Sequence, residues 1–313
     1  MKHPEPSLPA NAQQQSAPID VLRVRELFSH PARVAPSQFL RREVANRMRE
    51  RLSLIKITPQ QVLDVGCGEG ADLPLLQQRF AQARITGLDA APAMLSVAQA
   101  ASQAKVPGWQ RWLGKVGKGR PGGTRNLLAA NFAQLPLANH SMDVLWSNLA
   151  LHWHPQPDLV LLEWQRVLRA NGLLMFSCFG PDTFQQLRNA LRQVGLTHSI
   201  LPFVDMHDFG DMLVRAGFAT PVMDMERITV TYRTVAQLIA DVRSFGGNPM
   251  FSRQSYVRKK STWQAIQQAL LALAHTDGVL PLTFEIIYGH AFKPLPRTPG
   301  ESVIRLDLLR KPT

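Results

Sequence analysis

Cysteine is scarce in this chain: the sequence contains two, Cys67 and Cys178, among 313 residues. Two cysteines cannot form the disulfide framework that staples small secreted domains, so they predict free thiols and a reducing, cytoplasmic setting. The sequence has no run of 18 apolar residues, which argues against a membrane-spanning helix. It also begins without the charged-then-apolar pattern of a secretory signal. These absences predict a globular cytoplasmic protein.

Acidic residues are also few, with 23 Asp and Glu against 35 Lys and Arg and a net charge of +12. Residues 102–126 contain no acid, and their glycines and basic side chains predict a flexible basic surface loop. The positive charge favours an acidic partner, such as a nucleic acid, an anionic membrane surface or an acidic protein. No stacking or groove-reading motif accompanies the loop, so nucleic acid is the unfavoured partner. The basic residues of the loop are Lys105, Arg111, Lys115, Lys118, Arg120 and Arg125.

The strongest pattern in the sequence is VLDVGCGEG at residues 62–70. An apolar run, alternating glycines and then an apolar helical pattern predict the strand, turn and helix that open a nucleotide-binding α/β sheet. Gly66, Gly68 and Ala71 also form a loose G-x-G-x-x-A pattern that suits a dinucleotide. Asp64 distinguishes the two ligands, because its carboxylate would repel a pyrophosphate but attract an ammonium or sulfonium group.

This turn resembles motif I of the class I S-adenosylmethionine (SAM) methyltransferases, D/E-x-G-x-G-x-G. The resemblance implies that SAM is the cofactor and that Asp64, Gly66, Cys67 and Gly68 bind it. Binding of NAD(P), or a turn with no ligand at all, stays open as an alternative.

A second acid, Asp89, ends the predicted strand over residues 85–89. A carboxylate at the tip of the second strand accepts both ribose hydroxyls of a bound nucleoside, whether the ligand is NAD or SAM. Ala90 and Met94 follow at the start of the next helix, where Met94 packs either on the ligand or in the core. We therefore expect Asp89, Ala90 and Met94 at the cofactor site.

The ends of the next two predicted strands supply further candidates. The strand over residues 127–132 ends at Asn131 and Phe132, and the strand over 142–148 ends at Asn148. In SAM methyltransferases an acid or amide at the first of these places contacts the adenine amino group, and an apolar neighbour lies against the ring. Ligands of open α/β sheets bind beyond the carboxyl ends of the strands, so Asn148 is expected to line the same site.

These elements predict one α/β domain over residues 19–313, preceded by a disordered tail over residues 1–18. The expected architecture is a class I SAM methyltransferase, a Rossmann-like doubly wound sheet. A basic helical segment over 19–52, with an apolar stripe that includes Phe39, is expected to form an N-terminal lid. A second helical segment over 234–275 is expected to be an insertion in the C-terminal half. His152 and His154 form an H-x-H pair, but without further ligands no metal site is expected.

Motifs in the second half of the chain are more specific. FGPDTF at 179–184, FVDMHDFGDML at 203–213, AGF at 216–218 and FEIIYGHA at 284–291 resemble the malonyl-[acyl-carrier protein] O-methyltransferases of biotin synthesis. The resemblance covers most of residues 20–310. It implies methyl transfer from SAM to the free carboxylate of a malonyl group, and an acidic acyl carrier protein as partner.

Two alternatives to that function stay open. A sister group, the complex I assembly factors that hydroxylate a protein arginine, shares these motifs. Many methyltransferases of the family carry an F-x-x-A-A-x-x-Y lid motif, whereas residues 28–35 read FSHPARVA, without the tyrosine. A nucleic-acid methyltransferase is a lesser alternative, because the N/D-P-P-Y/F tetrapeptide of amino-methylating enzymes is replaced by NLAL at 148–151.

Carboxyl methylation calls for one cation that holds one carboxylate oxygen and leaves the other to attack. Arg188 is the first candidate, with His152 and Trp153 shaping the acceptor pocket. Arg188 lies on a predicted helix that begins near residue 183. Asp182 suits its N-cap, and Gln185 completes a capping box.

Overall fold

The computed structural model describes residues 18–104, 126–196, 200–250, 260–274 and 278–296. The predicted tail, apart from Pro18, lies outside these residues, and so does most of the predicted basic loop, residues 105–125. A last strand predicted over residues 303–309 lies outside them as well. Within the described part of the chain, no helix combines the length and apolar composition needed to cross a bilayer.

The described strands form a single seven-stranded sheet in the order β3-β2-β1-β4-β5-β7-β6. Strands β1 to β5 run parallel, and β7 is antiparallel to both β5 and β6. The chain builds outward from β1 to β3 and resumes on the other side of β1 with β4, which creates a switch point at the carboxyl ends of β1 and β4. The strands are β1 (Gln61–Val65), β2 (Arg84–Asp89), β3 (Asn126–Ala129), β4 (Met142–Ser147), β5 (Leu168–Phe179), β6 (Ala219–Tyr232) and β7 (Leu280–Phe292).

Helices cover both faces of the sheet, which confirms the doubly wound α/β architecture that the sequence predicts. Helices α9 and α10 lie between β6 and β7, inside the segment expected to be a helical insertion. The helices are α1 (Val21–Phe28), α2 (Pro31–Val34), α3 (Gln38–Ser53), α4 (Leu73–Arg79), α5 (Pro92–Ala104), α6 (Pro157–Val167), α7 (Gln185–Gln193), α8 (Met206–Arg215), α9 (Val235–Ser244) and α10 (Lys260–Leu271).

The core is divided into two apolar layers by the sheet. Val144 and Trp146 of β4 face the layer that contains Leu40 of α3, whereas Leu145 faces the layer that contains Trp164 of α6. This alternation follows from the two-residue period of a strand. Because both faces are covered, the parallel strands are apolar along nearly their whole length, as parallel sheets require.

Helix α3 packs on the sheet through the residues that its i, i+4 spacing predicts. Leu40, Val44, Met48 and Leu52 are all buried. Phe39, expected in the same stripe, is 44% exposed, so that part of the prediction is wrong. The physical reason is that Leu40 already starts the four-residue repeat, which leaves Phe39 about 100° away on the helix surface.

Three of the arginines on α3 are held by acids of the same chain. Arg51 donates to Asp224 of β6 at 2.5 Å, and Arg47 pairs with Glu226 of the same strand at 2.5 Å. These contacts join α3 to the edge strand of the sheet. Arg41 pairs instead with Glu69 of the glycine turn at 2.9 Å.

The capping box predicted for α7 is wrong. Helix α7 begins at Gln185, after Phe184 with a left-handed φ of 62°, and its N-cap makes no side-chain hydrogen bond. Asp182 instead donates its backbone N–H to Glu285 of β7 at 3.1 Å. Phe184 donates its backbone N–H to the carbonyl of Thr283 at 2.8 Å. The contacts with β7 therefore override the local capping preference.

Candidate active site

A cavity of about 360 Å³ lies at the carboxyl ends of the parallel strands, the size of a small-molecule site. Helix α1 covers it, with Val21, Val24 and Phe28 in its lining. The structure brings every residue expected to bind the cofactor to this lining: Asp64, Gly66, Cys67, Gly68, Asp89, Ala90, Met94, Asn131, Phe132 and Asn148.

The glycine turn after β1 forms the floor of the cavity. Gly66, Gly68 and Gly70 have φ values of 74°, 53° and 70°, a conformation that favours glycine. The backbone N–H groups of Gly66 and Cys67 both donate to the carbonyl of Leu88, at 2.8 and 2.9 Å. A side chain at Gly66 would collide with Cβ of Ala150, so the turn and the loop after β4 are in direct contact.

Asp89 is held in place by the backbone around it. Its Oδ2 accepts from the N–H of Gly68 at 2.9 Å, and its Oδ1 accepts from the N–H of Ala91 at 2.8 Å. Burial raises the pKa of Asp89, and these hydrogen bonds partly oppose the shift. A carboxylate accepts about four hydrogen bonds, so Asp89 keeps acceptor capacity for the ribose of a bound nucleoside.

Asp64 differs from Asp89, because its carboxylate oxygen Oδ2 accepts no hydrogen bond from the described residues. Its side chain is buried, and among the described residues Oδ2 has no hydrogen-bond partner. Burial raises the pKa of Asp64 well above its usual range, and the nearby charges of Asp72 and Asp89 raise it further. A buried carboxylate in this state favours a cationic ligand.

The carboxylates on the cavity lining outnumber the cations. The lining contains Asp64, Glu69, Asp72 and Asp89 but, among the described residues, two cations, Arg25 and Arg41. Arg41 is already paired with Glu69. This balance fits a nucleoside that carries ammonium and sulfonium groups, and it opposes a pyrophosphate.

Asn131 and Phe132 lie in the loop after β3, two and three residues past its end, rather than in the strand as predicted. The Oδ1 atom of Asn131 accepts from the N–H of Ala133 at 2.9 Å. The ring of Phe132 lies 5.7 Å from the ring of His154 and 6.3 Å from that of Trp164. The pair therefore presents an amide and an aromatic face at the end of the cavity next to Asp89.

Asn148 joins the loop after β4 to three other elements. Its Nδ2 donates to Asp72 at 3.0 Å and to the carbonyl of Arg41 at 2.9 Å. Its Oδ1 accepts from Ser177 of β5 at 3.0 Å. Leu149, the next residue, has a left-handed φ of 51° and also lines the cavity. Asn148 thus fixes the wall of the cavity through its side chain.

The three residues expected around the acceptor are not all at the cavity. Trp153 lines it, and its ring meets Phe28 of α1 edge-on at 5.3 Å. His152 is buried behind this wall, where burial lowers its pKa to about 3 and keeps the imidazole neutral. Its Nε2 has no partner among the described residues.

Arg188 lies on α7 and is not among the residues that line the cavity. Its guanidinium donates to the carbonyl of Thr183 at 3.3 Å, at the start of its own helix. Burial lowers the pKa of Arg188. The roles of Arg188, His152 and Trp153 in the reaction stay predictions.

The comparisons with known proteins agree on the fold and the family. A family model described as a methyltransferase domain matches residues 63–176. A malonyl-[acyl-carrier protein] O-methyltransferase of Laribacter hongkongensis is 44% identical over 281 residues, which cover 89% of this chain and 91% of the relative. A protein of the same name from Nitrosospira multiformis is 40% identical over 287 residues, 90% of this chain and 91% of the relative.

The chain belongs to the malonyl-[acyl-carrier protein] O-methyltransferase family.

Solved structures share the fold of this methyltransferase at low identity. The YcgJ protein from Bacillus subtilis is similar with a TM-score of 0.55 at 15% identity, over 82% of this chain and all of that one. A methyltransferase from Bacillus halodurans is similar with a TM-score of 0.52 at 18% identity, over 79% of this chain and 97% of that one. These likenesses support the Rossmann-like class I fold.

This chain is a SAM-dependent methyltransferase, and SAM is the cofactor expected of its family. The residues present fit that cofactor, since the turn, Asp89 and the buried Oδ2 of Asp64 line one cavity. Within the described residues, no group of three His, Cys, Asp or Glu side chains is arranged to hold a metal ion.

Several residues of the cavity lining were not expected there from the sequence, and three of them are charged and lie outside the glycine turn. They are Arg25 of α1, Arg41 of α3 and Asp72 before α4. An acid two residues after Gly70, in front of an apolar helix, was the signal for Asp72. The signal for Arg25 was its place in a segment expected to form the lid.

We predict that Asp89→Ala weakens SAM binding by roughly tenfold to several hundredfold, because each charge-assisted ribose hydrogen bond contributes about 1.5–3 kcal/mol. Calorimetric titration with SAM measures the loss. Asp143→Ala is the matched control, because Asp143 also accepts from two backbone N–H groups, those of Gln60 and Gln61, but lies outside the cavity lining. An Asp89→Ala protein with unchanged SAM affinity would contradict this assignment.

Proposed function

We propose that this methyltransferase transfers the methyl group of SAM to the free carboxylate of malonyl-[acyl-carrier protein], a step of biotin synthesis. The observation that carries the proposal is the name shared by relatives that are 40–44% identical over about nine-tenths of this chain. The cavity supports it, because its lining combines the SAM residues with Trp153 and Phe28 and with Arg25, which pairs with no acid among the described residues.

The acceptor needs little activation. A carboxylate with a pKa near 4 is ionised at neutral pH, as side-chain carboxylates of about that pKa are, so no general base is required. SAM, when bound, supplies an electrophilic methyl group on a positively charged sulfur. The enzyme has to align oxygen, carbon and sulfur with the reacting atoms roughly 3–3.5 Å apart. Trp153 and Phe28 are in edge-on contact on one side of the cavity, and their apolar rings would help to exclude water from the reacting groups.

Arg25 is the cation best placed to hold the acceptor carboxylate. It lies on α1 and lines the cavity, whereas the other cation of the lining, Arg41, is paired with Glu69. The start of α1 is fixed by an antiparallel bridge between Ile19 and Met250. Arg188 is the alternative that the sequence suggests, but it does not line the cavity, and its Nη2 donates to the carbonyl of Thr183.

The partner in this proposal is an acidic carrier protein. A net charge of +12 favours its approach, and two arginines of α3, Arg42 and Arg49, are exposed. The setting is a reducing cytoplasm, which agrees with the two free, buried thiols of Cys67 and Cys178. A nucleic-acid substrate is not favoured, because the sequence contains no stacking or groove-reading motif and has NLAL where amino-methylating enzymes carry N/D-P-P-Y/F.

We predict that the purified enzyme adds one methyl group to malonyl-[acyl-carrier protein] in the presence of methyl-labelled SAM. Mass spectrometry of the carrier protein detects the added mass. Mild base should remove the label, because the product is an ester. Succinyl-carrier protein is a useful control acceptor, since it differs by one methylene.

The outcome that would contradict this proposal would also indicate the alternative function. If no malonyl thioester is methylated and the enzyme instead adds oxygen to an arginine of a partner protein, the chain acts as the assembly-factor group does. Ala35 stands where many family members carry the lid tyrosine, and this difference is the reason to test for arginine hydroxylation as well.

A second prediction separates the two candidate arginines. Arg25→Ala should lower kcat/KM for malonyl-carrier protein by about tenfold to a hundredfold, as expected when a carboxylate loses a charged partner. Arg25→Lys should recover part of this loss, because an ammonium cannot make the planar two-point contact. Arg188→Ala, the matched comparison, should retain activity, and both variants should bind SAM normally.

Arg25→Ala should lower kcat/KM equally for a malonyl thioester that has no carrier protein, because the proposed contact of Arg25 is to the malonyl carboxylate. If Arg188→Ala loses activity and Arg25→Ala does not, Arg188 rather than Arg25 is the cation that holds the acceptor carboxylate. If the carrier-bound substrate alone responds to Arg25→Ala, Arg25 contributes to docking rather than to the carboxylate.

A further inference from the structure

Asp72 has the position of a helix cap but does not act as one. It stands at the N-cap of α4, with no side-chain hydrogen bond to the first turn of that helix. Its carboxylate turns into the protein, where Oδ2 accepts from Nε1 of Trp146 and from Nδ2 of Asn148, both at 3.0 Å. The residue is 8% exposed and lines the SAM cavity. Asp72 therefore forgoes its capping contact and places a second buried carboxylate at the site.

The first buried carboxylate is that of Asp64, whose residue is 2% exposed and whose Oδ2 has no partner in the described chain. The two acids are near enough for the charge of Asp72 to raise the pKa of Asp64. Burial raises the pKa of Asp72 as well, against the effects of Trp146, Asn148 and Arg41. Two neighbouring carboxylates that are both buried cannot both ionise at low cost.

The other titratable and charged groups around Asp64 and Asp72 do not neutralise the two carboxylates as a bound cation would. Asp89, at the end of β2, adds negative charge beside Asp64. Glu69 adds negative charge beside Asp72, and it holds the guanidinium of Arg41 at 2.9 Å. The thiol of Cys67 has its pKa raised by burial and by these same acids, so it stays neutral. Arg25, the remaining cation of the lining, lies on α1 and has no contact with either acid among the described interactions.

We propose that Asp64 and Asp72 form a carboxylate pair that binds the ammonium group of SAM, and that the ligand-free pair holds one proton that is released when the ammonium enters. The resemblance to motif I implies a role for Asp64 alone; the second carboxylate and the proton come from the structure. The inference concerns the methyl-donor half of the site, so it does not depend on which acceptor the enzyme methylates.

The charges balance in this exchange. The ligand-free pair with one proton carries a charge of about −1, and two carboxylates with a bound ammonium also sum to about −1. The proton leaves to solvent, and the ammonium takes its place between the two acids. The site thus avoids two bare buried charges before SAM arrives, and it offers a full pair of acceptors afterwards.

Titration calorimetry in two buffers with different ionisation enthalpies measures the proton directly. At a pH of about 6.5 the amino group of SAM is protonated, so a released proton comes from the protein. We expect about one proton per SAM bound. 5′-Methylthioadenosine, which has the nucleoside but no ammonium, should bind with no proton release. A wild-type enzyme that binds SAM without releasing a proton would overturn the proposal.

Asp72→Asn tests the role of the Asp72 carboxylate. The amide removes the ionisable group but keeps an acceptor oxygen for Trp146 and Asn148. We expect proton release to fall towards zero and the SAM dissociation constant to rise about tenfold or more. Asp64→Asn should also abolish proton release, because a single acid no longer shares a proton. Binding of 5′-methylthioadenosine should be unchanged in both variants.

The thermal stability of the ligand-free enzyme separates this role from a structural one. An acid whose pKa is raised by folding contributes stability that is lost as the pH rises through the folded pKa. Asp72→Asn removes that loss, so its Tm should equal or exceed the wild-type Tm, and the difference should grow with pH. A lower Tm together with normal SAM affinity and proton release would show that Asp72 is structural, and the proposal would fall.

Discussion

The close approach of two loops determines the rest of the site. Gly66 lies so near Ala150 that no side chain fits between them, and its φ of 74° is one that favours glycine. This contact holds the turn after β1 against the loop after β4, at the switch point of the sheet. Because the turn also bonds to the carbonyl of Leu88 at the end of β2, the tips of three strands form one floor. Asp64, Asp89 and the wall of the cavity take their positions from that floor.

The site contains groups that do not favour folding. Oδ2 of Asp64 is buried without a partner in the described chain, and Leu149 of the same cavity has a left-handed φ of 51°. The two apolar layers and the long pairing of β6 with β7 stabilise the fold around them. Unpaired polar groups and strained residues are tolerated where a ligand supplies what is missing. The unpaired oxygen of Asp64 and the left-handed Leu149 lie on one cavity lining, which agrees with its assignment as the SAM site.

The cofactor half of the site could be predicted from sequence because its residues stand at fixed offsets from the ends of strands. The acceptor half could not, because contacts between distant segments decide it. The start of α7, and with it the direction of Arg188, depends on Thr283 and Glu285 of β7, far along the chain. Asp72 was missed for the same reason, since its donors, Trp146 and Asn148, belong to β4 and the loop that follows. Local capping rules favoured a different conformation in both places.

The site as a whole depends on the geometry of the turn at Gly66. Calorimetric titration of a Gly66→Ala variant with SAM tests this dependence most directly, with Ala150→Gly added in a second variant to make room for the new Cβ. We expect Gly66→Ala to bind SAM at least about tenfold more weakly. Ala150→Gly should restore only part of the affinity, since the strain of a positive φ at alanine persists. Wild-type SAM affinity in the single variant would contradict the account.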